Sequence, residues 1–253
     1  MPGWRCIAAL IAGLTAVHAA DPREIWDQAV KAKGGRERLH AVHSLAIYMK
    51  PAQTNLPGPP ANWLCVFPDR YFEYDGQGNG EYPYLASNGV GLADCPRIIV
   101  VDGPSRRVAM DANGTPRVAW HLTSLEHDRM TLNQIVFLLE SAWLQPRIVE
   151  TKRNTVTVEA GGTTFRIYLD RSYLPERVLS LRAPGEKHYR AYDYRLQHYR
   201  DFQGVMLPVR VTRINGVVQW TWDVDYEVDA KYNPKLFARM PNLADGPEPW
   251  RLP

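Results

Sequence analysis

VMLPVRVTRINGVVQWTWDVDYEV, residues Val205 to Val228, is the stretch that decides the fold. Val205, Leu207, Val209 and Val211 alternate with Pro208, Arg210 and Thr212. Asn215-Gly216 then supplies the two-residue signal of a hairpin turn. Beyond it Val218, Trp220, Trp222, Val224, Tyr226 and Val228 fall on one side, and Gln219, Thr221, Asp223, Asp225 and Glu227 on the other. Period two sustained over this length predicts antiparallel strands with one apolar and one wet face.

The same alternation extends upstream. Val156, Val158 and Ala160 alternate with polar neighbours, Gly161-Gly162 makes a turn, and Phe165, Ile167 and Leu169 follow. LPERVLSL (Leu174–Leu181) and a long run from Lys187 to Tyr199 complete this half. In the first half, strands are predicted over Leu45–Lys50, Trp63–Phe67, Tyr71–Tyr74, Ile98–Asp102, Arg106–Met110 and Val118–His121. Two long loops interrupt them, Pro/Gly-rich Ala52–Ala61 and glycine-dense Asp75–Cys95.

Helices occupy two places. Asp21 is a natural N-cap with Pro22 at the first helical position, and Ile25, Trp26, Ala29 and Val30 recur at helical spacing. Lys31 and Lys33 suit the negative end of its dipole. Gly34-Gly35 ends this helix before a short second one, Arg36 to Val42. A phosphate loop needs strand, glycines, helix, with a Lys and Ser/Thr; here a helix precedes the glycines and no such residues follow, so they are a helix joint. SLEHDRMTLNQIVFLLESAW (Ser124–Trp143) is the second helical region, with Leu132, Ile135, Val136, Leu139 and Trp143 at helical spacing. Phe137 and Leu138 widen its apolar face to nearly all round, as in a helix buried on several sides.

The fold class predicted is α+β, mainly antiparallel β: a sheet of about eleven strands curled into a half-barrel around two or three helices, because a twisted sheet this wide tends to curl. Residues 21–253 form one such domain. Residues 1–20 read as a cleaved secretory signal, with Arg5, an apolar run from Ile7 to Val17, and small residues at the cleavage point after Ala19 or Ala20. The mature protein is therefore expected to be soluble and periplasmic. Loss of Arg5 leaves a net charge of +2, which leaves no electrostatic footprint for nucleic acid. Cys65 and Cys95 remain, and in an exported chain they read as one disulfide, two buried free thiols being the alternative.

Catalytic signatures are absent: no G-x-S-x-G, H-E-x-x-H or C-x-x-C occurs. His121, Glu126 and His127 at the entry to the central helix, and His40 with His43, read as surface polar residues rather than metal ligands. Asp223, Asp225, Glu227 and Asp229 form a carboxylate ladder on the polar strand face, and Arg195 and Arg210 on preceding strands suggest cross-strand ion pairs. No metal, cofactor or catalytic residue is expected, and the protein is not expected to be an enzyme.

Three stretches carry a resemblance: the opening IWDQAVKAKGGRERLHAVHSL, the strands YDYRLQHYRDFQGVMLPVRVTRINGVVQWTWDVDYEVD, and the ending NPKLFARMP. Together with the element order they resemble the lipoprotein-localisation family, the periplasmic lipoprotein carriers and their outer-membrane acceptors. The resemblance implies a half-barrel and helical lid enclosing a cavity for acyl chains, without a cofactor. Cavity-lining candidates are Phe165, Ile167, Val209, Val211, Trp220, Trp222 and Tyr226 from the sheet, with Ile135, Phe137, Leu138 and Leu139 from the helix. Plain sheet-on-helix core is the other reading of these residues. No residue matches those by which a carrier meets its transporter, and an acceptor's anchor cysteine is missing. The expected function is binding or carriage of acyl chains or lipoproteins, by a monomer with peripheral or transient membrane contact and an unidentified envelope transporter or acceptor. A filled-core envelope interaction protein and, behind it, a hydrolase at the cavity rim are the alternatives.

Overall fold

The structure is a computed structural model that describes residues 21–52, 60–75, 97–103, 105–110, 116–121, 124–181, 192–215, 218–239 and 247–251. The proposed signal at 1–20, most of the two long loops, and Cys95 lie outside the described residues.

Helices α1 (Pro22–Ala32) and α2 (Arg36–His40) open the chain. Asp21 caps α1, its carboxylate accepting from the Arg23 N–H at 2.9 Å, and Trp26, Ala29 and Val30 are buried. Six strands follow: β1 (Ser44–Pro51), β2 (Ala61–Val66), β3 (Arg70–Asp75), β4 (Arg97–Asp102), β5 (Ser105–Met110) and β6 (Pro116–His121). Next come α3 (Ser124–Leu138), β7 (Arg147–Lys152), β8 (Thr155–Ala160), β9 (Thr163–Leu169) and β10 (Pro175–Leu181). Finally, β11 (Asp193–Phe202), β12 (Val205–Asn215) and β13 (Val218–Val228) precede the short α4 (Lys235–Ala238).

All strands join one antiparallel sheet in the order β6-β5-β4-β3-β2-β1-β13-β12-β11-β10-β9-β8-β7, thirteen strands rather than about eleven. The surplus includes β7, an edge strand whose exposure pattern is irregular and whose register shifts between Ile148 and Glu150, so it lacks a clean sequence period. The α+β curled sheet is as predicted. β1 and β13 pair at its centre, with Leu45 opposite Val228 and Met49 opposite Val224.

One large core lies between the sheet and helices α1 and α3; α1 rests on β7 and β8, while α3 approaches β10 and β12. A second, smaller core lies on the other sheet face, where Leu236, Phe237 and Trp250 cover Ala46, Leu64, Phe72, Ile98 and Val100. The expected wet outer face is therefore corrected over β1–β4. There the strands are apolar on both sides, and the segment after β13 packs across them.

The glycine joint is fixed by close approach. Gly34 has φ +127°, and a Cβ on it would overlap the carbonyl of Gly204 in the β11–β12 turn. Beside it Met206 N–H donates to the Lys33 carbonyl, so the joint docks on the first residues of β12. Lys33, at the helix end that its charge suits, is itself 0 % exposed. Its ammonium donates to the Met206 carbonyl and stands 5.1 Å over the Tyr199 ring.

Candidate functional site

The concave face of the sheet is the candidate site. Cross-strand register assembles it in rows. One row runs Trp220, Arg213, Tyr194, Val178, Ile167 and Val156 across β13 to β8. The row beneath holds Trp222, Val211 and Leu196. Phe165, Ile167, Val211, Trp222 and Tyr226 are all buried in the large core, and Trp220 packs against it partly exposed. Ile135, Phe137, Leu138 and Leu139 join the same core from α3 and its C-terminal end. Phe137 packs edge-on against Tyr226 at 5.8 Å and Trp63 at 6.3 Å between ring centres. Val209 differs. It lines a surface cleft of about 520 Å³ with Lys50, Arg200, Phe202, Asp223 and Asp225.

That cleft marks a split in the sheet. β12 pairs with β13 only from Arg210 onward, opposite Asp223, and its first residues diverge. The Tyr226 hydroxyl spans the gap, donating to the Pro208 carbonyl at 2.7 Å. On the other side of the hairpin, the Tyr199 hydroxyl donates to the Pro175 carbonyl at 2.7 Å, next to a second cleft of about 590 Å³. Burial holds both phenols well above the usual tyrosine pKa, so they serve as fixed donors.

The end of α3 is clamped by a carboxylate. Glu140, buried, accepts from Trp26 Nε1 at 2.8 Å and Arg36 Nε at 2.7 Å, and lies 3.1 Å from His40 Nε2. Leu139, at φ +70°, ends the helix just before it. Trp143, expected on the buried face of a longer helix, lies beyond that end at 42 % exposure. It stacks on Phe67 at 6.1 Å and meets His43 edge-on at 5.7 Å. His40 and His43 are thus held by Glu140 and Trp143. The side chains of His121, Glu126 and His127 lie outside the described residues.

Of the carboxylate ladder, Asp223 pairs with Arg210 as expected, at 2.7 Å. Glu227 is 3.3 Å from the Tyr48 hydroxyl, and Asp229 pairs with Arg38 at 3.1 Å while accepting the His43 N–H. Arg195 stands opposite Arg177 rather than a carboxylate; Arg177 takes Asp193 through two bonds of 2.8 Å. Among the described residues no group of three His, Cys, Asp or Glu side chains gathers as a metal site.

Cys65 is a free thiol buried in the large core on β2, where burial pushes its pKa up to about 12; Cys95, its expected disulfide partner, lies outside the described residues. Its strand position turns it inward, among the core side chains.

Sequence reasoning missed Arg213, Lys33, Glu140 and Asn133. Arg213, 3 % exposed, keeps the inward parity of Val205, Leu207 and Val211, so the period that predicted the strand also placed the arginine inside. Its guanidinium lies 4.7 Å over Trp220 and 5.9 Å over Trp222. Asn133 on α3 is buried and its Nδ2 has no hydrogen-bond partner. No helix among the described residues is long and apolar enough to cross a membrane.

No family model and no curated protein matches this chain. Among solved structures it is similar to the LolA superfamily protein NE2245 from Nitrosomonas europaea, with 12% identity, a TM-score of 0.43, and coverage of 87% of this chain and 99% of that one. It is also similar to a DUF1329 family protein from Desulfovibrio piger, with 8% identity and a TM-score of 0.38 over 86% of this chain and 97% of the other.

Proposed function

We propose that the protein binds acyl chains, free or attached to lipoprotein, in the interior of its half-barrel and sequesters or carries them in the periplasm without catalysis. The observation that carries this reading is the concave face itself. Strands β1, β2 and β8–β13 turn apolar and aromatic side chains into one core with α1 and α3, and α3 is buried all round from Thr131 to Leu138. Such a helix is held across the sheet mainly by apolar contact. An acyl chain replacing part of that contact exchanges like for like, and each methylene it buries contributes about 0.8 kcal/mol. The Glu140 clamp fixes one end of α3 to α1 and α2, so its other end is the one to move. The interior thus acts as the binding site and α3 as its plug.

The closeness of that packing favours a second reading, a filled-core protein that works through its surface. The exposed Trp143–Phe67–His43 cluster is the feature such a protein would use.

Native mass spectrometry of the protein purified from its own periplasm, followed by organic extraction, separates the two. A stoichiometric acyl or lipid adduct is expected. A clean unliganded mass, with no later uptake of a fluorescent fatty acid, would overturn the binding reading and leave the surface reading.

A further inference from the structure

The sheet parts a second time between β10 and β11, and charges of both signs line the opening. The two strands pair through Leu179 with Asp193, Val178 with Tyr194 and Arg177 with Arg195; from Leu196 onward β11 keeps its register with β12 alone. Even that register skips His198, which stands at φ +58°. A cleft of about 590 Å³ fills the opening, a size that suits a small ligand. Leu196, 2 % exposed and part of the large core, lies at its base, and the Tyr199 hydroxyl bond to the Pro175 carbonyl bridges it.

At the closed end of the cleft, Arg177 and Arg195 stand directly opposite each other, an arrangement that costs stability unless a negative group lies between them. Arg177 is held in place by its two bonds to Asp193, with its guanidinium 5.4 Å over the Tyr168 ring. Arg195 is exposed and, among the described residues, makes no ion pair or hydrogen bond, so its planar fork of donors is open to a carboxylate or phosphate. At the other end Asp170 accepts the N–H groups of Ser172 and Leu174 at 2.7 and 3.0 Å, both through Oδ1, which fixes the carboxylate. Glu176, exposed where the β10 register shifts, adds a second negative charge. Leu174, beside Asp170, is three residues from Arg177, about 10 Å of extended chain.

A simple anion in this cleft would meet Asp170 and Glu176, and a simple cation would meet Arg177 and Arg195. We propose that the β10–β11 cleft binds a small zwitterion, its carboxylate or phosphate on Arg195 beside Arg177 and its ammonium on Asp170 and Glu176. The spacing of the two ends favours charges separated by a short chain over the adjacent charges of an α-amino acid. Free ω-amino acids and the phosphoethanolamine head groups of lipids share this chemistry. The site is separate from the concave interior, and it does not depend on acyl chains binding there.

The test is an NMR titration of the isotopically labelled protein, read at the amides of Glu176, Arg177 and residues 195–199, with aminohexanoate, hexanoate and hexylamine, probes that share one chain length. Aminohexanoate is expected to shift these resonances and to bind about ten-fold more tightly than either singly charged probe, the difference one charge-assisted hydrogen bond makes. Arg195→Gln is expected to bring its affinity down to that of hexylamine. Asp170→Asn combined with Glu176→Gln is expected to bring it down to that of hexanoate, the asparagine keeping the Oδ1 acceptor of the turn. Glycerophosphoethanolamine, as a fourth probe, tells the sources apart: tighter binding than aminohexanoate points to a lipid head group, weaker binding to a free amino acid, and either supports the site. No shift by either zwitterion, equal affinity for the three matched probes, or undiminished binding by Arg195→Gln overturns the proposal.

Discussion

Replacing Lys33 with methionine is expected to stabilise the protein at neutral pH, and the size of the effect follows from the geometry. Lys33 is fully buried, and burial lowers its pKa from 10.5 to about 7. The unfolded chain therefore holds the proton more tightly than the folded one. Stability from this group is fully present above the unfolded pKa of 10.5 and is lost as pH falls toward the folded value of about 7. Below that, both states are protonated and the pH dependence ends. A difference of 3.5 pH units corresponds to about 5 kcal/mol between the two limits. The Met206 carbonyl bond and the Tyr199 ring return about 1–2 kcal/mol to the lysine. Lys33→Met is thus expected to gain about 3 kcal/mol at pH 7, with the gain vanishing near pH 10. Urea unfolding of both proteins at pH 7, 8, 9 and 10 reads the difference directly. The rise of tyrosine ionisation at the alkaline end is common to both proteins and cancels in that difference. Parallel stability profiles would refute the buried, proton-poor lysine, and so would a methionine variant less stable at pH 7.

Three further outcomes follow from other contacts. Gly34→Ala should destabilise by well over about 2 kcal/mol, since it combines a strained backbone with overlap on the Gly204 carbonyl, whereas Gly35→Ala, with open space around it, should cost only its backbone strain of about 2 kcal/mol; thermal melts of the pair compare them. Glu140→Gln should cost about 2–3 kcal/mol by weakening the bonds from Trp26 and Arg36, and hydrogen exchange should rise in α1 and α2 before it rises in the central strands. Cys65 should resist a thiol reagent at pH 8 in the native protein and react at once in denaturant, its burial and a pKa of about 12 both withholding the thiolate; rapid native labelling would contradict its place in the core.

Much of the fold was legible because it rests on period. The alternation from Val218 to Val228 is the β13 strand, and the all-round apolarity of Ile135 to Leu139 is the buried end of α3. Asp21 and Pro22 start α1 as their chemistry predicts. Contacts that close at long range were not legible. Nothing local in LFARMP reveals that Leu236 and Phe237 will cover β1 and β4 from outside. Trp143 kept helical spacing past the point where Leu139 turns the chain into the left-handed region, so its exposure depended on a helix end without a Gly or Pro to announce it. Lys33 and Glu140 are charged residues whose burial is decided by what docks on them, the β11–β12 turn and the first two helices. Arg213 was different, since its inward parity was present in the sequence and only its charge argued otherwise. Cys65 likewise has its inward place from strand parity.

The sheet order also sets a schedule for the chain. Its two wings are built from successive hairpins, yet β1 finds one of its two neighbours only in β13, at the far end of the sequence. Neighbouring hairpins close quickly, but a seam between distant segments waits on loop closure and governs the overall rate. Until the last strand is available, the β1 edge stays open to any other strand it meets, so truncation before Val218 leaves an adhesive edge at the middle of the sheet rather than at its rim. Late closure at the centre makes the final hairpin the element on which productive folding, rather than self-association, depends.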